Sequence, residues 1–310
     1  MQRPKFLQKL NEPRLEKKVS QSTNCSQDFG DGLHEENLKK LYSQQIAADY
    51  SLDILDHITS NQTDVDSFLS PHGISPSLRS KMVDWMIEVL SSYKMSEESF
   101  FKSVQFMDCY LKHENQKQET KDVHLIGVTS MFTAAKYEEI HPMRLSLMVE
   151  KIARRKFTRE EILHKESRMI NCLNFRLEEA TLYDMVKHIN RTLIINSDEI
   201  NLKLRPSFET YFGKILLYLT KMCLFSHELV EKETKLLAGA VFFIALKTLE
   251  QVNKDFCPED VLPTISQLLY IPEDRLIGVG REVLELAKNF GKLYPNLNNL
   301  KKFNKFDYKQ

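Results

Sequence analysis

The sequence predicts an all-α protein: an N-terminal helix followed by two successive sets of five helices. Three observations carry this. Beyond residue 34, apolar residues recur at three- and four-residue spacing through most of the chain. Turn formers are scarce, with 9 Gly and 10 Pro in 310 residues, which suits long helices better than many short strands. Residues 125–139 align without gaps on residues 236–250, about 110 positions later, a distance of one domain rather than one solenoid repeat.

Residues 1–33 are polar, with Lys, Gln, Asn, Ser and two prolines, and read as a disordered arm that buries too little apolar surface to fold. Residues 34–76 read as an N-terminal helical region and a linker. Leu38, Leu41, Ile46 and Tyr50, then Leu52, Ile54, Leu55 and Ile58, supply the helical stripe; Asn, Ser, Pro and Gly fill 61–76.

The first five-helix set is expected over 77–178. Its members are 78–93, with Ser77 as the expected N-cap; 97–112, with Phe100, Val104, Met107 and Leu111 on its apolar side; 123–139; 145–154; and 159–174. Thr158 and Glu161 form a capping-box signature before the last of these. The second set is expected over 179–292, as helices 182–194, 207–226, 234–250, 259–270 and 273–290. Pro258 and Pro272 stand at helix starts, where a missing N–H costs nothing. Residues 293–310 read as a tail.

The internal match falls on the third helix of each set. Leu125 matches Leu236, Phe132 matches Phe243, Ala134 matches Ala245, Lys136 matches Lys247 and Glu139 matches Glu250. Both segments are apolar on nearly every face and rich in small residues. A helix apolar all round is a buried one, so each set is expected to wrap around its third helix.

Composition excludes several classes. Lys+Arg and Asp+Glu are both 43, which argues against a general grip on nucleic acid. The five cysteines, Cys25, Cys109, Cys172, Cys223 and Cys257, are odd in number and form no Cys-x-x-Cys, so free thiols in a reducing compartment are expected. No apolar run reaches the roughly 20 residues of a membrane span, and the amino terminus has no signal-peptide core. The expectation is a soluble protein of the nucleus, the cytoplasm or both. The histidines are scattered, His113-Glu114 is not continued by a second His, and no glycine-rich phosphate loop occurs. Asp53, Asp56 and His57 read as a solvated helix face. No catalytic residue, metal or cofactor is expected.

Two stretches are more specific. Leu78-Arg-Ser-Lys-Met-Val-Asp-Trp85 resembles the opening of a cyclin box, and Lys136-Tyr-Glu-Glu-Ile140-His-Pro142 resembles the end of its third helix. The resemblance runs from about Tyr50 to about Phe290 and is strongest over 78–175, with A- and B-type cyclins, which act in S phase and mitosis, as the nearest subgroup. It implies two tandem five-helix cyclin-box repeats and a regulatory subunit that binds and activates a cyclin-dependent protein kinase as a heterodimer.

Five positions match those that define the box. Arg79 and Asp108 are similar to a buried ion pair, Leu125 to a core leucine, and Lys136 and Glu166 to the pair that grips the kinase. Read without the resemblance, Arg79 is an ordinary first-turn residue, Lys136 complements a helix dipole and Glu166 is a solvated helix residue. The resemblance also implies a docking patch for Arg-x-Leu substrates or inhibitors at Leu78, Lys81, Trp85, Glu88, Val123 and His124. Lys81 and His124 depart from the family pattern there, and a lysine would repel the arginine of such a motif. The usual Arg-x-x-Leu destruction signal is not formed at Arg3 or Arg14, and Arg144 to Leu147 lies inside the expected fold. A second reading, a transcription factor resembling transcription factor IIB, shares the two repeats; zero net charge and the lack of a Cys-x-x-Cys pair weigh against it.

Overall fold

A computed structural model describes residues 50–60, 67–196, 206–250 and 257–303. The expected disordered arm, the helical stripe before residue 50 and residues 61–66 of the linker lie outside the described residues. Among those described, regular structure is helical apart from one isolated bridge between Gly73 and Glu119.

Helix α1 spans Ser51–Ser60. The first set follows as α2 (Pro76–Ser92), α3 (Glu97–His113), α4 (Val123–Glu138), a short fourth member, and α5 (Arg159–Cys172). The second set is α6 (Leu182–Asn196), α7 (Pro206–Cys223), α8 (Thr234–Glu250), α9 (Leu262–Leu269) and α10 (Glu273–Leu293). A last helix, α11, covers Asn299–Phe303.

Local chemistry sets the ends. Ser75, not Ser77, caps α2: its hydroxyl accepts from the Leu78 N–H at 3.2 Å. Pro76 then takes the first helical position, where proline is preorganised, and this moves the cap two residues earlier than expected. Thr158 and Glu161 close a reciprocal capping box on α5. The expected fourth helix, 145–154, is a single turn over Leu145–Leu147 that widens into a π-turn over Met148–Ile152. It ends at Arg154 and Arg155, both with positive φ, 49° and 60°. The expected helix 259–270 is split into a 3₁₀ turn (Pro258–Asp260) and α9, whose first turn holds Pro263.

The two central helices are where the internal match puts them. From Ile126 to Ala135, α4 is buried at every position, and it packs against α2, α3 and α5. Helix α8 is buried without a break from Leu236 to Leu246 and packs against α6, α7, α9 and α10. Small residues make this possible. A Cβ placed on Gly239 would stand 2.6 Å from Leu269 and 2.8 Å from Leu276, closer than side-chain atoms approach, so glycine lets α9 and α10 close on α8.

Polar bonds and salt bridges join the two sets. Arg79 donates to the Leu224 carbonyl at 2.7 Å and Ser80 to the Phe225 carbonyl at 2.7 Å. Lys221, 3% exposed at its side chain, lies 2.6 Å from the Glu97 carboxylate. A cavity of about 130 Å³ remains between the sets, lined by Phe101, Val104, Leu182 and Leu237 among others.

The tail is more than a tail. Helix α11 returns to pack on α2. Asn299 donates its backbone N–H to Asp84 Oδ1 at 3.1 Å and its amide to Asp84 Oδ2 at 2.8 Å. Burial raises the Asp84 carboxyl above its ordinary value, and the bonds from Asn299 work against that rise. Removing the amide takes one hydrogen bond from a buried carboxylate, which keeps the backbone N–H groups of Asn299 and Leu300. Asn299→Ala is therefore expected to lower stability by about 1–2 kcal/mol in urea denaturation and to speed proteolysis after residue 293.

Candidate functional site

The final turn of α4 and the middle of α5 meet at a polar triad. Helix α4 reaches this point as a buried apolar rod, and Lys136 is the first residue after Ala135 to emerge from it, with 42% of its side chain exposed. Its Nζ stands 2.7 Å from the Glu166 carboxylate, whose side chain is only 8% exposed. Glu166 Oε1 also accepts from the Thr133 hydroxyl at 3.0 Å. The lysine head also lies over the Phe132 ring, 4.6 Å from its centre.

This triad has capacity to spare. An ammonium has three donors and a carboxylate about four acceptor directions, so neither is saturated. Exposed apolar side chains stand on α5 and just past the ends of α4 and α5. Ile140, just past α4, is 91% exposed; Leu163, one turn before Glu166, is 44% exposed; Phe175, after α5, is 69% exposed. A buried polar pair open on one side and flanked by unpaid-for apolar surface is suited to a protein partner, not to covalent chemistry.

Neighbouring charges hold α5 in place. Arg168 donates from Nε and Nη2 to Glu114 at 2.7 and 2.9 Å. Burial works to raise the Glu114 carboxyl, but the Arg168 fork, the Gln116 N–H and the Tyr110 hydroxyl outweigh it and hold it at about 2.

Arg79 and Asp108 lie deeper. Arg79 is fully buried, and its Nε and Nη2 fork onto the two Asp108 oxygens at 2.8 and 2.5 Å. Leu125 is half-buried against the core, while the next residue, Ile126, is fully inside.

The six patch residues do not all share one surface. Leu78, Trp85 and His124 are half-buried, Lys81 and Glu88 are exposed, and Val123 is buried at 3% exposure, which removes it from any docking surface. Its side chain falls on the core side of the first turn of α4. Trp85 meets His124 edge-on, 5.1 Å between ring centres, and His124 meets Phe157 at 5.2 Å. Glu88 receives a long contact, 3.4 Å, from the Asn299 amide.

Three participants escape sequence reasoning. Thr133 sits one turn before Lys136, and that spacing was a usable signal. Phe157 and Asn299 reach the patch through tertiary packing alone. Among the described residues no group of His, Cys, Asp and Glu is placed to hold a metal ion, and no helix is long and apolar enough to cross a membrane.

A family profile described as "Cyclin, N-terminal domain" matches residues 52–178. Cyclin-A2-1 of Arabidopsis thaliana is 27% identical over 236 residues, 76% of this chain and 50% of that protein. Putative cyclin-B3-1 of the same plant is 28% identical over 187 residues, 59% of this chain and 42% of that protein. The G1/S-specific cyclin-E of Hemicentrotus pulcherrimus is 33% identical over 147 residues, 47% of this chain and 34% of that protein. The chain thus spans half or less of the length of these curated relatives. Among solved structures, a viral cyclin from herpesvirus saimiri superposes with a TM-score of 0.63 at 17% identity, covering 78% of this chain and 99% of that one. Residues 52–178 are a cyclin N-terminal domain, and the chain belongs to the cyclin family.

Proposed function

We propose that this chain is the non-catalytic regulatory subunit of a cyclin-dependent protein kinase, acting in S phase or at G2/M in the nucleus, the cytoplasm or both. The observation that carries the reading is the unsaturated Lys136–Glu166–Thr133 triad beside exposed Ile140 and Leu163. Such a surface offers a partner both register and driving force. Lys136 and Glu166 hydrogen-bond backbone groups next to the kinase's regulatory helix and fix its position. The flanking apolar side chains bury the face of that helix, at about 25 cal/mol per Å² before the costs of association.

A kinase of this class is held inactive by a displaced regulatory helix and a misplaced activation loop. Docking on a rigid α4–α5 surface favours the state in which both are in place, by differential affinity for that state. The chain contributes no reacting group.

The test is a reconstitution. The wild-type chain is expected to co-purify with a kinase and to stimulate its phosphorylation of a protein substrate. Lys136→Ala combined with Glu166→Ala is expected to abolish both while keeping the helical circular dichroism of the wild type. Full stimulation by the folded double variant would sink the assignment. The phase is read separately, from protein level across a synchronised cell cycle.

A further inference from the structure

The two helical sets do not close completely on each other. The cavity of about 130 Å³ between them has a floor drawn from both. Phe68, Phe101 and Val104 come from the linker and α3, and Leu182, Leu224 and Leu237 from the second set; all six are buried. Packed interiors hold few voids larger than a water molecule. A cavity of about 150 Å³ walled by Leu, Ile and Phe stays dry and takes benzene, so this one has the size for a single six-membered ring. Half-buried Cys109, Lys112 and Ala180 form its rim.

The polar groups on the walls have partners, with one reserve. The Gln105 amide donates to the Ala180 carbonyl at 3.1 Å, and its oxygen accepts from Lys102 at 3.2 Å. The Thr181 hydroxyl donates to Asp184 at 2.8 Å, and Lys232 pairs with Glu282 at 3.1 Å. Lys112 shares the rim with Glu179, of opposite charge. Burial above all pushes the Cys109 thiol up to about 12, so it lines the wall as an uncharged S–H. The reserve is Asp108. It lines the cavity at 8% exposure, and each of its oxygens accepts one bond from Arg79. A carboxylate has about four acceptor directions, so acceptor capacity remains. A trapped water needs two to four polar partners, whereas a donor with its own apolar body needs only this one and fills the rest of the space.

We propose that this cavity binds a small neutral aromatic molecule carrying one hydrogen-bond donor, of the phenol class. The ring fills the apolar floor and the O–H donates to Asp108. An anion placed there meets a carboxylate of like sign. Because the walls come from both sets, the ligand binds where the sets are docked and holds them together. No wall residue belongs to the Lys136–Glu166–Thr133 triad, so the proposal stands whether or not that triad binds a kinase.

The test uses the full chain with phenol, toluene and benzoate as probes, read by calorimetric titration and by the thermal midpoint. Phenol is expected to bind saturably at one site and to raise the midpoint as its concentration rises. Toluene has the same ring and nearly the same size but no donor. It should bind at least about tenfold more weakly, the order of one hydrogen bond to a charged group. Benzoate should bind no better than toluene. Ala180→Leu at the rim and Val104→Met on the floor each take up the space. Both should keep the wild-type midpoint or exceed it without ligand, and lose about tenfold or more in phenol affinity. Lys136→Ala should leave phenol binding unchanged. No saturable binding of phenol, toluene binding as tightly as phenol, or wild-type affinity in both filled variants would overturn the proposal. Benzoate binding as tightly as phenol would overturn it too, by showing that Lys112 at the rim and not Asp108 selects the ligand.

Discussion

Asp108→Ala is expected to cost about 3–5 kcal/mol of folding stability, a large share of the roughly 5–15 kcal/mol of a typical domain. The reason is the partner left behind. Arg79 is fully buried and donates to both Asp108 oxygens and to the Leu224 carbonyl. A guanidinium cannot shed its proton, so without Asp108 a full charge stays in the core with one neutral acceptor. Arg79→Met behaves differently. Burial pushes the Asp108 carboxyl up, and Arg79 is what opposes that rise. Without the arginine, Asp108 neutralises by binding a proton. Its folded pKa then lies above its unfolded one. The folded state therefore binds the proton more tightly, and stability rises as pH falls through the folded value toward the unfolded one. Urea midpoints of Arg79→Met are thus expected to recover on acidification, relative to wild type, whereas those of Asp108→Ala are not. A loss within about 0.5 kcal/mol for Asp108→Ala, the range of an ordinary surface change, would refute the argument.

How much of this was legible beforehand depends on the range of the interaction. Local signals read well. The all-apolar, small-residue segment fixed the bounds of α8 at Thr234–Glu250, and the Thr-x-x-Glu pattern placed the cap of α5 at Thr158. Where two local signals competed, the reading slipped: Ser75 and Ser77 both suit a cap, and Pro76 between them decides. The π-turn at Met148–Ile152 has no sequence signature, because one extra residue is fitted into the helix by its packing on α4. Long-range bonds were out of reach altogether. Asn299 meets Asp84 across 215 positions, and nothing in a polar tail announces it. The box positions were found only by resemblance; spacing alone says nothing of a pair such as Arg79 and Asp108, 29 residues apart. Val123 shows the limit of that route, since a position carried over from relatives turned out to be buried here.

The second large effect concerns whether the two helical sets fold as one. Phe242 sits at the middle of α8 with no exposed surface, and meets the Phe212 ring edge-on at 5.5 Å. Truncation to alanine removes the ring contacts and opens a cavity between α8 and α7, which rigid packed helices fill only in part. Phe242→Ala is expected to cost about 3–5 kcal/mol. Its neighbour Phe243 is 6% exposed and lies beneath Lys247, so Phe243→Ala should cost less. All of the direct loss from Phe242→Ala falls in the second set. The first set is tied to it through Arg79 and Leu224, Ser80 and Phe225, and Lys221 and Glu97. Several of these contacts are buried, and breaking them by unfolding one set leaves Arg79 short of an acceptor and Ser80 with only the longer bond to the Pro76 carbonyl. A single urea transition shifted to lower midpoint, with the same slope as wild type, is therefore the expected result. Two separated transitions, with the first set melting at its wild-type midpoint, would show that these bonds do not couple the sets. In that case the cost of Asp108→Ala would also be confined to α2 and α3.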